Sequence, residues 1–302
     1  MRAWRPTAFL ILLMACTLSA CTPFTPAPSL TVTESAPTVT LPPSAAPTTT
    51  PAPTHTAMPT VTLTPTARPA TATQQPAHNL CSPLEGIALA ELSQPDLLKN
   101  PFVPPRPGMD GGHQGVDFAF WSWGERKTMQ GLPILSVLNG RVAAALPLRQ
   151  PYGYAVIIET SLKDLPAAWL ADAPIPTPAP TVQPAPNMIC PPGGETEGLA
   201  IGQFPADYSL YLLYAHLDEP AGVQTGQEVS CGQAIGAAGT TGNSVNVHLH
   251  LETRLGPSGA SFSSLGYYDT AVTDLERSNY CTWRVSGLFQ LFDPLRLLSL
   301  QP

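Results

Sequence analysis

Proline decides where this chain is free to pack. Of the 302 residues 37 are Pro, and 13 of these lie in residues 22–79 together with 17 Thr. That stretch holds no Gly, and Glu34 and Arg68 are its only formal charges. Such a segment cannot bury enough apolar surface to offset the entropy lost on ordering, and its prolines bias it to polyproline II. It reads as a disordered tether with a reach of at most about 180 Å, at about 3.1 Å per residue. Its Thr–Pro richness also resembles O-glycosylated stalks. The fold is therefore expected in residues 80–302, one domain by size.

The chain ahead of the tether reads as an export signal. Arg2 and Arg5 precede an apolar run at residues 8–18, which is too short to span a bilayer as a helix. The run ends in Leu18-Ser19-Ala20-Cys21, which resembles a bacterial lipobox. The expectation is a lipoprotein signal over 1–20, with cleavage before Cys21 and lipid on its thiol. Losing Arg2 and Arg5 moves the formal charge from −7 to −9. An acidic protein gains nothing from an anionic membrane surface, so the anchor must be the lipid, with several acyl chains. The same acidity argues against nucleic acid, which calls for a basic patch. The expected location is the cell envelope, on a membrane of either type.

Within 80–302 the apolar runs are short. They are Pro133–Val137, Gly140–Ala144, Tyr154–Glu159, Tyr211–Ala215 and His248–Glu252. Asn139-Gly140 between the first two is a hairpin cue. Helical periodicity is weak, because Gly and Pro interrupt most longer stretches. The fold class is mainly β, with an antiparallel sheet. Residues 174–186 (PIPTPAPTVQPAP) repeat the tether's composition inside the domain and fit neither strand nor helix. They centre a long loop insertion from about 161 to 208, expected to be disordered in the middle.

Cys81, Cys190, Cys231 and Cys281 remain once the signal and the lipidated Cys21 are set aside. An even count in an exported domain points to two disulfides among three connectivities. The expected pairing is Cys81–Cys281, closing the domain's ends, and Cys190–Cys231, tying the insertion to the core. No C-x-x-C spacing supports a cysteine zinc site.

The domain has four histidines. His248-Leu249-His250 places two imidazoles on one face if it is a strand. His113 and Asp117 stand four apart in a Gly-rich stretch that is unlike a helix and runs into a strand. His216 ends the predicted strand through Tyr214-Ala215. Each alone has a bland explanation: surface polar residues, a capped turn, a strand-end side chain. Together, two His and one Asp supply three protein ligands, the pattern of a catalytic zinc that keeps a fourth position for water. Bound zinc lowers the pKa of that water towards about 7. Two further His remain to act on it.

This order of motifs resembles the lysostaphin/LytM-type zinc peptidases. The likeness is carried by His113…Asp117, Tyr214-Ala215-His216-Leu217 and His248-Leu249-His250. A glycine framework accompanies them: Asn139-Gly140-Arg141-Val142, Gly153–Glu159, Gly226–Val229, Gly232–Gly236 and Gly239–Ser244. It covers about 110–255 without the insertion. Asn246-Val247 departs from it, standing where a Gly-Pro type pair is common.

The resemblance implies the LytM/lysostaphin-like antiparallel core of the duplicated hybrid motif type. It implies one zinc per chain on His113, Asp117 and His250, with His216 and His248 as the catalytic pair. The implied reaction is hydrolysis of a peptide bond in peptidoglycan, at a stem peptide or cross-bridge, by a monomer. The alternative is a non-catalytic relative that binds peptidoglycan or activates another hydrolase; such relatives usually lack a ligand, and this sequence lacks none. The aromatics after 255 (Phe262, Tyr267, Tyr268, Tyr280, Trp283, Phe289) are expected to pack. Trp121 and Trp123 are expected to pack or to line the groove.

Overall fold

The alternating apolar runs assemble into one antiparallel sheet, seen in a computed structural model that describes residues 80–171, 186–199 and 202–300. The expected signal at 1–20, the lipidated Cys21, the tether and the 174–185 stretch lie outside the described residues.

In chain order the strands are β1 (Leu98–Asn100), β2 (Val116–Phe118), β3 (Pro133–Leu135), β4 (Gly140–Arg149), β5 (Gly153–Ser161), β6 (Tyr208–Leu217), β7 (Glu228–Val229), β8 (Ala234–Ala237), β9 (Leu249–Pro257) and β10 (Gln290–Phe292). The helices are α1 (Ala167–Ala171), α2 (Asp274–Arg284) and α3 (Pro294–Leu298). The main sheet runs β1-β2-β9-β6-β5-β4-β7, with β10 also on β9; β3 and β8 form a separate pair. Among the described residues no helix is long and apolar enough to cross a membrane.

β6 is the centre of the domain, with all ten of its residues buried. Its period of two sorts them between two cores. Tyr208, Leu210, Leu212 and Tyr214 join an aliphatic cluster with Leu84, Leu97, Ile134, Val156, Leu251 and Leu297. Tyr211, Leu213 and Ala215 join an aromatic cluster with Phe262, Tyr280, Trp283 and Phe289 on the opposite face. These late aromatics therefore pack as expected, except Tyr268, which is exposed. Trp123 packs on Phe120 with ring centroids 6.2 Å apart. Trp121 is exposed at 83 %, so it is not a packing residue.

Two expectations need correction. Asn139-Gly140 does not turn a hairpin: β3 pairs with β8, whereas β4 pairs with β5 and β7. Asn139 instead braces neighbours, its Oδ1 accepting from the Cys231 backbone N–H at 2.8 Å. A Cβ on Gly140 would strike the Glu159 carbonyl oxygen.

The disulfides are Cys81–Cys231 and Cys190–Cys281, with Cα atoms 5.6 and 5.7 Å apart. All four cysteines pair, but with exchanged partners. The physical reason is the two-faced sheet. Residues 80–84 dock beside β3, where the Cys81 N–H donates to Val137 O at 2.9 Å. Cys281 sits on α2, beside the aromatic cluster on the other face.

The insertion runs between the end of β5 and the start of β6, as expected, yet its described ends are ordered. Leu162–Asp164 forms a 3-10 turn and residues 167–171 form α1. Glu195 accepts from Asn279 Nδ2 at 2.6 Å, which fastens the far end to α2. Helix α2 itself went unread, although Thr273-Asp274-Leu275-Glu276 is a capping box. Thr273 Oγ1 accepts from the Glu276 N–H at 3.3 Å, and Glu276 Oε2 accepts from the Thr273 N–H at 2.8 Å.

Candidate metal centre

β9 and β2 are neighbours, with Asp117 opposite His250 and Phe118 opposite Leu249. β6 flanks β9 on the other side, with Ala215 opposite His250. Pairing therefore carries Asp117, His216 and His250 to one end of three adjacent strands. His113 arrives from the loop before β2, its backbone bridged to Val103 by bonds of 2.8 and 2.9 Å. Gly115 permits the approach by leaving room. A Cβ there would meet the Leu251 carbonyl oxygen and would stand 2.8 Å from His250 Nε2, so the position needs empty space.

His113, Asp117 and His250 are the group of side chains, among the described residues, able to hold a metal ion. His113 Nε2 lies 3.0 Å from Asp117 Oδ1, His250 Nδ1 lies 2.8 Å from the same oxygen, and the two nitrogens are 3.2 Å apart. Ligand atoms about 2.0–2.1 Å from a tetrahedral zinc stand about 3.3 Å from one another, so this triangle fits that ion.

The outer hydrogen bonds agree. His113 Nδ1–H donates to Pro101 O at 2.9 Å, and His250 Nε2–H donates to Glu252 Oε1 at 3.3 Å. Each ring is thereby left with a lone pair on the nitrogen that faces the other ring and Asp117. Three acceptor atoms around one point call for a cation.

The titration behaviour expresses the same demand. Burial raises the Asp117 carboxyl, but the His113 and His250 imidazoles beside it outweigh that and hold the group well below the usual carboxylate range. Burial lowers the His250 imidazole, but Asp117 and Glu252 outweigh it and push the ring up to about 9. A proton on His250 does in the metal-free site what an ion does in the loaded one.

His216 and His248 border the same cleft. Their rings are 4.6 Å apart between centroids. His216 Nδ1–H donates to Thr241 O at 2.8 Å, and His248 Nδ1–H donates to Asn246 O at 2.8 Å. Both rings thus keep Nε2 free of a proton, and His248 Nε2 lies 3.7 Å from Asp117 Oδ1. Burial, then the neighbouring His250 and His248, pulls His216 down to about 3. His216 also has φ +62°, a left-handed backbone that is strained for a residue other than Gly and recurs at functional sites.

The departure at Asn246-Val247 is accommodated, since the Asn246 carbonyl fixes the His248 tautomer. Val245, 98 % exposed, stands at the rim of the cleft.

All five histidine and aspartate positions expected from the sequence meet at this cleft. Sequence reasoning missed Glu252, Thr241, Arg254, Arg284 and Asp110. Glu252 had a signal: it follows His250 by two residues on the same strand face. Arg254 shares that signal two residues further on; the others had none, because Thr241 acts through its carbonyl and Arg284 comes from the unread helix.

Residues 201–261 match the model of Peptidase family M23, a span that contains His216, His248 and His250 but not His113 or Asp117. No curated protein matches the chain. The catalytic domain of the antimicrobial peptidase lysostaphin from Staphylococcus simulans is similar at 17 % identity and a TM-score of 0.32, over 66 % of this chain and 90 % of that one. A zinc-containing peptidase from Vibrio cholerae is similar at 23 % identity and a TM-score of 0.27, over 52 % of this chain and 32 % of that one. The antimicrobial peptidase lysostaphin is similar at 19 % identity and a TM-score of 0.29, over 53 % of this chain and 42 % of that one. The chain thus spans well under two thirds of these last two proteins.

Proposed function

We propose that this chain, an M23-type peptidase by its match over residues 201–261, is a zinc-dependent endopeptidase that hydrolyses peptide bonds of peptidoglycan at the cell envelope. His113, Asp117 and His250 would hold the ion. When bound, zinc polarises the scissile carbonyl and lowers the pKa of a water molecule, which makes a nucleophile available near neutral pH. The chain's own residues do the rest. His216 is kept neutral by burial, and its Nδ1–H is committed to Thr241 O, so Nε2 is a base over the cleft. His248, with Nδ1–H committed to Asn246 O, offers a second Nε2 beside it. A ring that has taken the water's proton becomes a donor, able to stabilise the developing oxyanion and return the proton to the leaving amine.

The observation that carries this reading is the count of histidines. Two ring nitrogens and a carboxylate oxygen form the ligand triangle, and two more imidazoles of fixed tautomer line the same cleft. A structural zinc normally takes four protein ligands and leaves no free histidine beside it. The lipobox at Cys21 and the Pro/Thr tether support work on cell wall at some distance from a membrane, with the acyl anchor as the membrane contact.

The test is zinc content together with muropeptide release by the purified protein, disulfides intact. One zinc per chain and new peptide ends are expected, and the products identify the bond. Zinc without release points instead to a peptidoglycan-binding or activating role.

A further inference from the structure

Behind His250 lies a closed ionic cluster that touches the ligand triangle only through the His250–Glu252 hydrogen bond. Glu252 is fully buried. Its Oε1 accepts from His250 Nε2 at 3.3 Å, Tyr152 Oη at 2.8 Å and Arg284 Nη1 at 3.0 Å. Its Oε2 accepts from Arg254 Nε at 2.9 Å, Arg254 Nη2 at 2.8 Å and Trp283 Nε1 at 3.0 Å. Arg254 by itself balances this carboxylate. Arg284, near the end of α2, is therefore not needed for charge at Glu252, and its Nε reaches a second acid, Asp110 Oδ1, at 2.6 Å. Asp110 also accepts from Tyr268 Oη at 2.5 Å and Tyr280 Oη at 2.9 Å. It stands three residues before His113, across Gly111 and Gly112, and Gly112 has φ +69°. On its other side the His113 backbone is held by Val103.

We propose that Arg284 is a positioning residue of the metal centre. One guanidinium grips Glu252 behind His250 and Asp110 ahead of His113, so α2 sets the separation of two ligands that come from different parts of the chain. The proposal rests on the reading that His113, Asp117 and His250 hold zinc. The physics is direct. A Gly-Gly linker does not by itself fix the direction of His113. A buried ion cluster that loses one partner leaves uncompensated charge and rearranges. The donor set tolerates little movement, because its atoms lie within 3.2 Å of one another. The same unit is tied on its outer side, where the Asp110 N–H donates to Asn187 Oδ1 at 3.1 Å and Cys190 is bonded to Cys281 of α2.

The experiment measures zinc affinity by chelator competition, and the visible spectrum of the cobalt-substituted protein, for the wild type, Arg284→Met, Arg284→Lys and Arg277→Ala. Arg277 lies on the same helix but pairs only with exposed Asp274 among the contacts described, so it controls for the helix. Arg284→Met is expected to bind zinc about 10- to 100-fold more weakly, under conditions where near-UV circular dichroism shows it folded, with a shifted cobalt band. Arg284→Lys, with the charge but not the fork, falls between, and Arg277→Ala matches the wild type. A merely structural role lowers the melting temperature of the metal-free protein and moves neither zinc affinity nor cobalt band; that result overturns the proposal. If Arg284→Met does not fold, Arg284→Lys decides, and wild-type affinity in it is equally fatal. A wild type that binds no zinc defeats the underlying reading, and the proposal with it.

Discussion

The two faces of β9 differ in what they ask of a side chain. Leu249, Leu251 and Leu255 face the aliphatic core, where a residue needs the right volume and little else. His250, Glu252 and Arg254 face the other way, and each has partners at stated atoms: Asp117 and Glu252 for His250, and Gln114 and Glu252 for Arg254. One strand thus separates the burden of stability from the burden of geometry, residue by residue. A sheet covered on both faces makes this possible, since a polar row survives burial only when every group is paired.

Adjacent residues offer the strongest test of that division. His250→Ala should abolish zinc binding and lower peptidase activity by more than the ~100-fold typical of outer-shell changes. Leu251→Ala should cost about 2–5 kcal/mol of stability, read by urea unfolding, and leave zinc affinity unchanged in the folded protein. Comparable zinc loss in both variants would show that the faces are not independent.

Within the polar face, ligand and base should separate as well. His216→Ala is expected to retain zinc and to lose about 10²- to 10⁴-fold in kcat. Unchanged kcat would remove His216 from the chemistry.

The disulfides extend the comparison, for Cys81–Cys231 lies by the aliphatic core and Cys190–Cys281 by the aromatic one. Double Ser replacement of either pair should lower stability by about 4–5 kcal/mol, given the long loops they close. Only the loss of Cys190–Cys281 should also weaken zinc, since only that bond holds α2. Equal zinc affinity in both variants would break the link between α2 and the site.

The smallest expected effect is at the start of α2. Burial raises the Glu276 carboxyl, but the Thr273 N–H, Arg149 and Ser264 outweigh it and lower the group to about 2. A carboxyl with a depressed pKa stabilises above its ordinary value near 4.5, and loses that stabilisation as pH falls from there to about 2. Glu276→Gln should be less stable than the wild type by about 1 kcal/mol at pH 7, the size of a helix cap. The gap in urea midpoint should close by about pH 2. A gap independent of pH would mean that the carboxylate's charge is not what caps the helix.

The sequence was readable where chemistry and periodicity coincide. Strands β4, β5, β6 and β9 carry enough consecutive apolar residues to declare themselves, and His216 and His250 fall on two of them. The partner of β3 was not readable: Asn-Gly between two apolar runs looks like a local turn, while β3 pairs with β8, about a hundred residues on. The disulfide pairing failed for a related reason. Which cysteines meet depends on the face each segment covers, and that is a property of the finished sheet. Arg284, too, acquires its role only once α2 crosses behind β9.

The insertion has one more consequence. β5 ends at Ser161 and β6 begins at Tyr208, yet Ser161 lies opposite Ser209 as if a tight turn joined them. Closing 46 residues in place of two adds only roughly 3 kcal/mol of loop entropy, at about 0.6 kcal/mol per doubling. The long β5–β6 ladder, paired from Tyr154 to Ser161, absorbs that penalty. Between α1 and Asn187 that low cost makes a permissive port, where foreign sequence can be grafted while Asn187, Cys190 and Glu195 keep their ties to the domain.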